Sequence, residues 1–176
     1  MLDRDVAEHR DKILERWIDG VIEGYPEETA KFLRSKTDRF ANPVGAGLRE
    51  GLAELLDGIM RDVEPKELSS ALDRVIRVRA VQEFSPSAAV SFVFNLKDLL
   101  REVVGETGAD ASGCFETLDK RIERLGLCAF DVYMSCREQM WSIRAQEIRN
   151  QSVGIMERVA EWRERREENS ETHRQT

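Results

Sequence analysis

Ser85-Pro86-Ser87-Ala88-Ala89-Val90-Ser91-Phe92-Val93-Phe94-Asn95-Leu96-Lys97-Asp98-Leu99-Leu100 is the stretch on which the fold turns. Its apolar residues recur at helical spacing and leave one narrow polar stripe, Ser87, Ser91, Asn95 and Asp98, at steps of four, four and three. A helix apolar on nearly every side belongs in the middle of a domain. Ser85 and Pro86 mark its start, because a serine oxygen accepts backbone N–H groups left over at a helix end and proline has the right φ for the first position. The same punctuation recurs at Asn42-Pro43, at Tyr25-Pro26-Glu27-Glu28 and at Glu64-Pro65-Lys66-Glu67. In the last two, carboxylates fall in a first turn, where they complement the helix dipole.

Working outward, Val6, Arg10, Ile13, Trp17 and Val21 make one helical face from about residue 3 to 23. Val44, Leu48, Leu52, Leu55 and Ile59 make another, and Leu68, Leu72, Val75 and Ile76 a third. Residues 105–113 contain three glycines and several cap-type residues, a loop signal. Beyond them no proline occurs, and Leu118, Ile122, Leu125, Ala129, Val132, Cys136, Met140 and Ile143 run close to a heptad repeat. After a break in phase, Ile148, Ser152, Ile155, Val159 and Trp162 resume it, as one long helix with a stutter does. Alternating strand patterns with hairpin turns are absent. The reading is all-α with about six helices, a domain over 1–145, and an extension of the long C-terminal helix with a polar tail over 146–176.

Lysine and arginine total 27 against 34 acidic residues in 176, a net charge of −7, which disfavours nucleic-acid binding. No apolar run reaches the roughly 20 residues needed to span a bilayer, so membrane insertion is not expected, and the first residues lack a signal pattern. Three cysteines at separations of 14 and 8 form neither a disulfide framework nor a zinc pair, and a reducing cytoplasm suits them.

Trp17, Tyr25-Pro26, Asn42-Pro43-Val44-Gly45, Arg77-Val78-Arg79-Ala80-Val81-Gln82-Glu83-Phe84-Ser85-Pro86-Ser87 and Asn95-Leu96-Lys97 carry a further signal. Together, over roughly Leu14 to Leu100, they resemble the RsbRD amino-terminal domain family. The resemblance implies a sensory or regulatory input module of the kind found in stressosome proteins and ahead of histidine-kinase cores. It also implies, by analogy with related sensors, a dimeric, haem-free globin-like fold or helical bundle. No output domain is expected after residue 165, so the resemblance points to a solitary sensor or adaptor that works with an unidentified regulatory protein partner.

Arg79 follows Val75 by four and Ile76 by three, at the edge of an apolar face, and a buried arginine needs partners. Two readings stand beside each other. In one, Arg79 and Gln82 line a small polar pocket with Ser87, Ser91 and Asn95 and hold a small anion or metabolite. In the other, the favoured one, Arg79 bonds helix-end carbonyls at a capped junction. Arg74, Arg77 and Arg79 form a local basic cluster best used on a folded surface. Haem and other cofactors are not expected, since the two histidines, His9 and His173, lie near the chain ends. A globin-like protein binding haem or another chromophore or small ligand is the alternative. Cys114 is the candidate exposed thiol. No nucleophile elbow, phosphate loop, metal-binding pair or dinucleotide fingerprint is present, so no catalytic or metal residue is assigned. The long helix carries the clearest physical demand. Its stripe of Val132, Cys136, Met140, Ile143, Ile148, Ile155, Val159 and Trp162 needs covering, and a homodimer is expected to cover it.

Overall fold

A computed structural model of the chain describes residues 8–34, 40–82, 84–105 and 112–174. Among them are six helices: α1 (Arg10–Glu23), α2 (Glu27–Arg34), α3 (Pro43–Met60), α4 (Ser69–Val81), α5 (Pro86–Gly105) and α6 (Ser112–Arg174). No strand occurs among the described residues. The all-α expectation therefore holds, and so does the single long C-terminal helix, 63 residues without interruption. No described helix is long and apolar enough to cross a membrane. The chain divides into two compact units, Met1–Cys136 and Arg137–Thr176.

In the first unit the punctuation works mostly as read. Asn42 caps α3, its Oδ1 accepting from Gly45 N at 2.8 Å, while its Nδ2 donates to the Phe32 carbonyl of α2 at 2.8 Å. The cap is buried, so one amide joins two helices. We expect Asn42→Ala to cost about 2 kcal/mol, the upper range for a lost cap, because the same amide also ties α2 to α3 through its bond to the Phe32 carbonyl. Chemical denaturation monitored by circular dichroism reads this directly.

Pro65 departs from the expectation: α4 begins four residues later, at Ser69. Residues 64–69 form tight turns instead, with Glu67 N donating to Glu64 O, Leu68 N to Pro65 O and Ser69 N to Lys66 O. The turns set the buried Leu68 over Gly58, where an added Cβ would stand 2.5 Å from Leu68 Cδ1. α3 itself ends in a Schellman pair, Val63 N to Gly58 O at 2.9 Å and Asp62 N to Ile59 O at 3.3 Å, with Asp62 left-handed at φ 55. Val6 lies outside the described residues, and α1 starts at Arg10, whose guanidinium forks onto Asp57 of α3 at 2.6 and 3.0 Å.

The helices pack where small residues allow it. Gly51 brings α3 against α4: a Cβ there would meet Ala71 O and Val75 Cγ2 at 3.0 Å. α5 is the central helix its sequence demands, with Ala89, Phe92, Val93, Leu96, Leu100 and Val103 all buried. Val44 and Phe94, assigned to apolar helix positions, are 40% and 39% exposed. Phe94 instead lies over Gly126 of α6, whose missing side chain makes room for the ring. The part of α6 in this unit buries Leu118, Ile122, Leu125, Ala129, Tyr133 and Cys136. Arg121 donates to the Ile59 and Met60 carbonyls at 3.0 Å each and so closes the end of α3.

Candidate functional site

Three helices converge on Arg79, near the end of α4, and a buried guanidinium lies between them. Nη2 donates to Ala88 O in the first turn of α5 at 3.2 Å, and Nη1 to Val21 O at the end of α1 at 3.5 Å. Three rings surround it: Phe84 at 4.6 Å from its centroid, and Tyr25 and Phe92 at 5.4 Å each. Tyr25 and Phe84 also meet edge to face at 5.1 Å. A fourth helix joins through Tyr133 of α6, whose hydroxyl donates to Phe84 O at 2.8 Å. The aromatic faces offset the charge where no carboxylate pairs with it among the described residues.

Compensation is incomplete, because Arg79 Nε and the Tyr25 hydroxyl are both buried without a hydrogen-bond partner. Burial pushes the Arg79 guanidinium below its ordinary value, with Tyr25 acting against the shift. It pushes the Tyr25 phenol up, and the nearby positive charge acts against that.

Beside the junction lies a cleft of about 270 Å³, lined by Trp17, Val21, Arg79, Phe92, Asn95 and Glu102 among others. Arg16 and Glu102 form an ion pair at 3.0 Å along it. Of the five residues read as a pocket, Arg79 and Asn95 share this cleft. Gln82 faces a separate groove of about 460 Å³, with Phe32, Val44 and Val81. Ser87 is exposed and meets Ser85 at 3.3 Å, while Ser91 Oγ donates to Ala88 O at 3.0 Å. Ser85 Oγ accepts from Ala88 N at 3.3 Å, the cap expected of it.

The local arginine cluster separates. Arg74 pairs with Glu54 and Arg77 with Asp73, whereas Arg79 turns inward. The cysteine expectations divide as well. Cys136 is buried against Asp73 of α4, its Sγ 3.5 Å from Oδ1, so it is a core residue of its own chain and not an open interface position. Burial, with the Asp73 charge, pushes its thiol up. Cys128 is half-buried, and burial, with the Asp131 charge, pushes its thiol up. The side chains of Cys114 and His173 lie outside the described residues. No group of three or more metal-ligating side chains occurs among the described residues.

The second unit is the remaining length of α6. Trp141, Ile148, Ile155 and Trp162 stand seven residues apart and are 60%, 64%, 54% and 58% exposed. Ala145, Ser152 and Val159 lie between them and complete steps of four and three. The second heptad phase therefore begins at Trp141. Ile143, exposed, lies five residues before Ile148 and so about 140° round the helix from it. Met140 is partly exposed, and Val132, in the first unit, is half-buried beside the buried Tyr133.

The model of the RsbT co-antagonist protein rsbRD N-terminal domain matches residues 11–148. The chain belongs to that family. The match takes in α1 from its second residue, α2 to α5, the Arg79 junction and α6 as far as Ile148, so the RsbRD N-terminal domain is longer here than the segment that resembles it in sequence motifs. An uncharacterized protein of Archaeoglobus fulgidus is 23% identical over 159 residues, covering 89% of this chain and 95% of that one. No solved structure gives a significant match, so the globin-like part of the expectation finds no support there. Reading motifs missed the cage of this RsbRD N-terminal domain, although two of its rings stand beside prolines, in Tyr25-Pro26 and Phe84-Ser85-Pro86.

Proposed function

We propose that the protein is a non-catalytic, cytoplasmic regulatory domain, sensory or adaptor in kind, which acts by associating with proteins. The observation that carries this reading is the row of Trp141, Ile148, Ile155 and Trp162, each more than half exposed on one helical register. Large apolar side chains recurring every seven residues are the pattern of a helix that pairs. Membership of a family described as part of an RsbT co-antagonist protein supports a regulatory role in a stress-response assembly. The cleft beside Arg79 and Asn95 is then the place for a small ligand, and a change in junction packing the means by which ligand binding alters association.

Photo-crosslinking tests the reading. A photoreactive residue placed at Ile148 of the full chain, in its native cells, is expected to give a covalent adduct with a protein, while one placed at Asn150, on the opposite side of α6, gives none. Absence of an adduct from both positions would sink the proposal.

A further inference from the structure

The residues beside the apolar row select its partner. In heptad terms Trp141, Ile148, Ile155 and Trp162 occupy d, and Ala145, Ser152 and Val159 occupy a. The flanking g positions are then Arg144, Gln151 and Arg158, and the e positions after Ile148, Ile155 and Trp162 are Arg149, Met156 and Arg163. All four arginines are exposed, and no carboxylate stands at these flanking positions. Glu147 and Glu161 at c and Glu157 at f lie toward the far side. The segment is thus basic along its seam although the whole chain carries −7.

Self-pairing places like charges together in either direction. A parallel pair sets g of one helix against the following e of the other, so Arg144 faces Arg149 of the second copy and Arg158 faces Arg163. An antiparallel pair has a register that matches large residues with small ones, Trp141 to Val159, Ala145 to Ile155 and Ile148 to Ser152. It sets Arg144 against Arg158 of the second copy and Arg149 against its own symmetry mate. Like charges at these positions exclude a partner, and opposite charges select one. A membrane surface also attracts an arginine-flanked apolar helix carrying tryptophan. Here, however, the seam is narrow, holds Ser152 at its centre, and shares the helix with three glutamates.

We infer that residues 141–163 dock an amphipathic helix of another protein, one whose apolar heptad seam is flanked by glutamate or aspartate. The inference rests on the association reading above and names its partner class.

Two synthetic four-heptad peptides test it on the full chain, both with leucine and isoleucine at a and d, one with glutamate at every e and g and one with lysine. In fluorescence anisotropy at low salt the glutamate peptide is expected to bind at least about tenfold tighter, and the gap to shrink as salt screens the charges. Replacing Arg144, Arg149 and Arg158 together by Glu is expected to reverse the preference while circular dichroism stays unchanged, since all three are exposed. Equal binding of the two peptides overturns the inference. A dimer in light scattering that Ile148→Glu with Ile155→Glu separates into monomers also overturns it, giving the seam to a second copy and leaving the association reading intact. So does binding to phosphatidylglycerol vesicles without binding to the glutamate peptide. If peptides, vesicles and a second copy all leave the seam untouched, the association reading falls with it.

Discussion

Arg79→Ala is expected to lower stability by about 3 kcal/mol, roughly 10 °C in melting temperature for a chain of this size. Two losses add in the same direction. Removing the side chain leaves a hole between Tyr25, Phe84 and Phe92 that rigid rings fill poorly. The Val21 carbonyl loses its donor at the end of α1, where Tyr25 N already turns aside to Ile22 O at 3.0 Å. Ala88 O is less affected, because Ser91 Oγ also donates to it. Against these stands one gain, relief of the burial that depresses the guanidinium. Arg79→Met separates the contributions: it fills the space and removes the charge, and should cost about 1 kcal/mol. Thermal melts of both variants decide the role of the residue. An Arg79→Ala protein melting within about 2 °C of the parent would show that the arginine does not hold the junction. Its burial would then need a ligand in the neighbouring cleft to explain it.

How far the sequence speaks for this region follows from what helical periodicity encodes. It records which face of a helix is covered, so α5 and the placement of Arg79 at the edge of an apolar face were legible. Asn42 and Ser85 were legible for another reason, since capping is local chemistry within four residues. The cage was not. Tyr25 and Phe84 stand in connections, outside any periodic pattern, and only the crossing of α1, α4 and α5 brings them together. Tyr133 was hidden by the heptad reading, which gave its place to Val132; the two are neighbours about 100° apart on the helix, and the buried place goes to the ring whose hydroxyl reaches Phe84 O, a contact made across the fold that periodicity does not record. Pro65 misled because proline suits a tight turn as well as a first helical turn, and the choice was made by Leu68 settling over Gly58. Among the pocket residues, Gln82 was placed by its distance from Arg79 along the chain. Three residues at the C-terminal end of α4 carry it past the last helical turn and toward α2 and α3.

The largest single effect is expected at Trp17. Its indole is 2% exposed, lies 5.9 Å from the Phe92 ring, and donates from Nε1 to Phe92 O at 2.8 Å, so it holds α1 to the central helix. Trp17→Ala removes the packing and should cost about 4 kcal/mol, within the range for a buried aromatic truncated to alanine. Trp17→Phe keeps a ring against Phe92 and loses only the N–H. That bond is a second donor to a carbonyl in mid-helix, which retains its ladder partner four residues on, so a cost of about 1 kcal/mol is expected. The two variants also bear on the cleft, because Trp17 lines it together with Arg79 and Asn95. Denaturant midpoints give both numbers, and a Trp17→Ala chain that unfolds within about 1 kcal/mol of the parent would mean that α1 is held by Ile13, Val21, Ile22 and the Arg10–Asp57 fork without it. If the costs fall as argued, α1 is clamped at its start by Arg10 on α3 and at its middle by Trp17 on α5. The Arg79 end of the same helix is then the part whose packing a ligand in the cleft is able to alter without unfolding the domain.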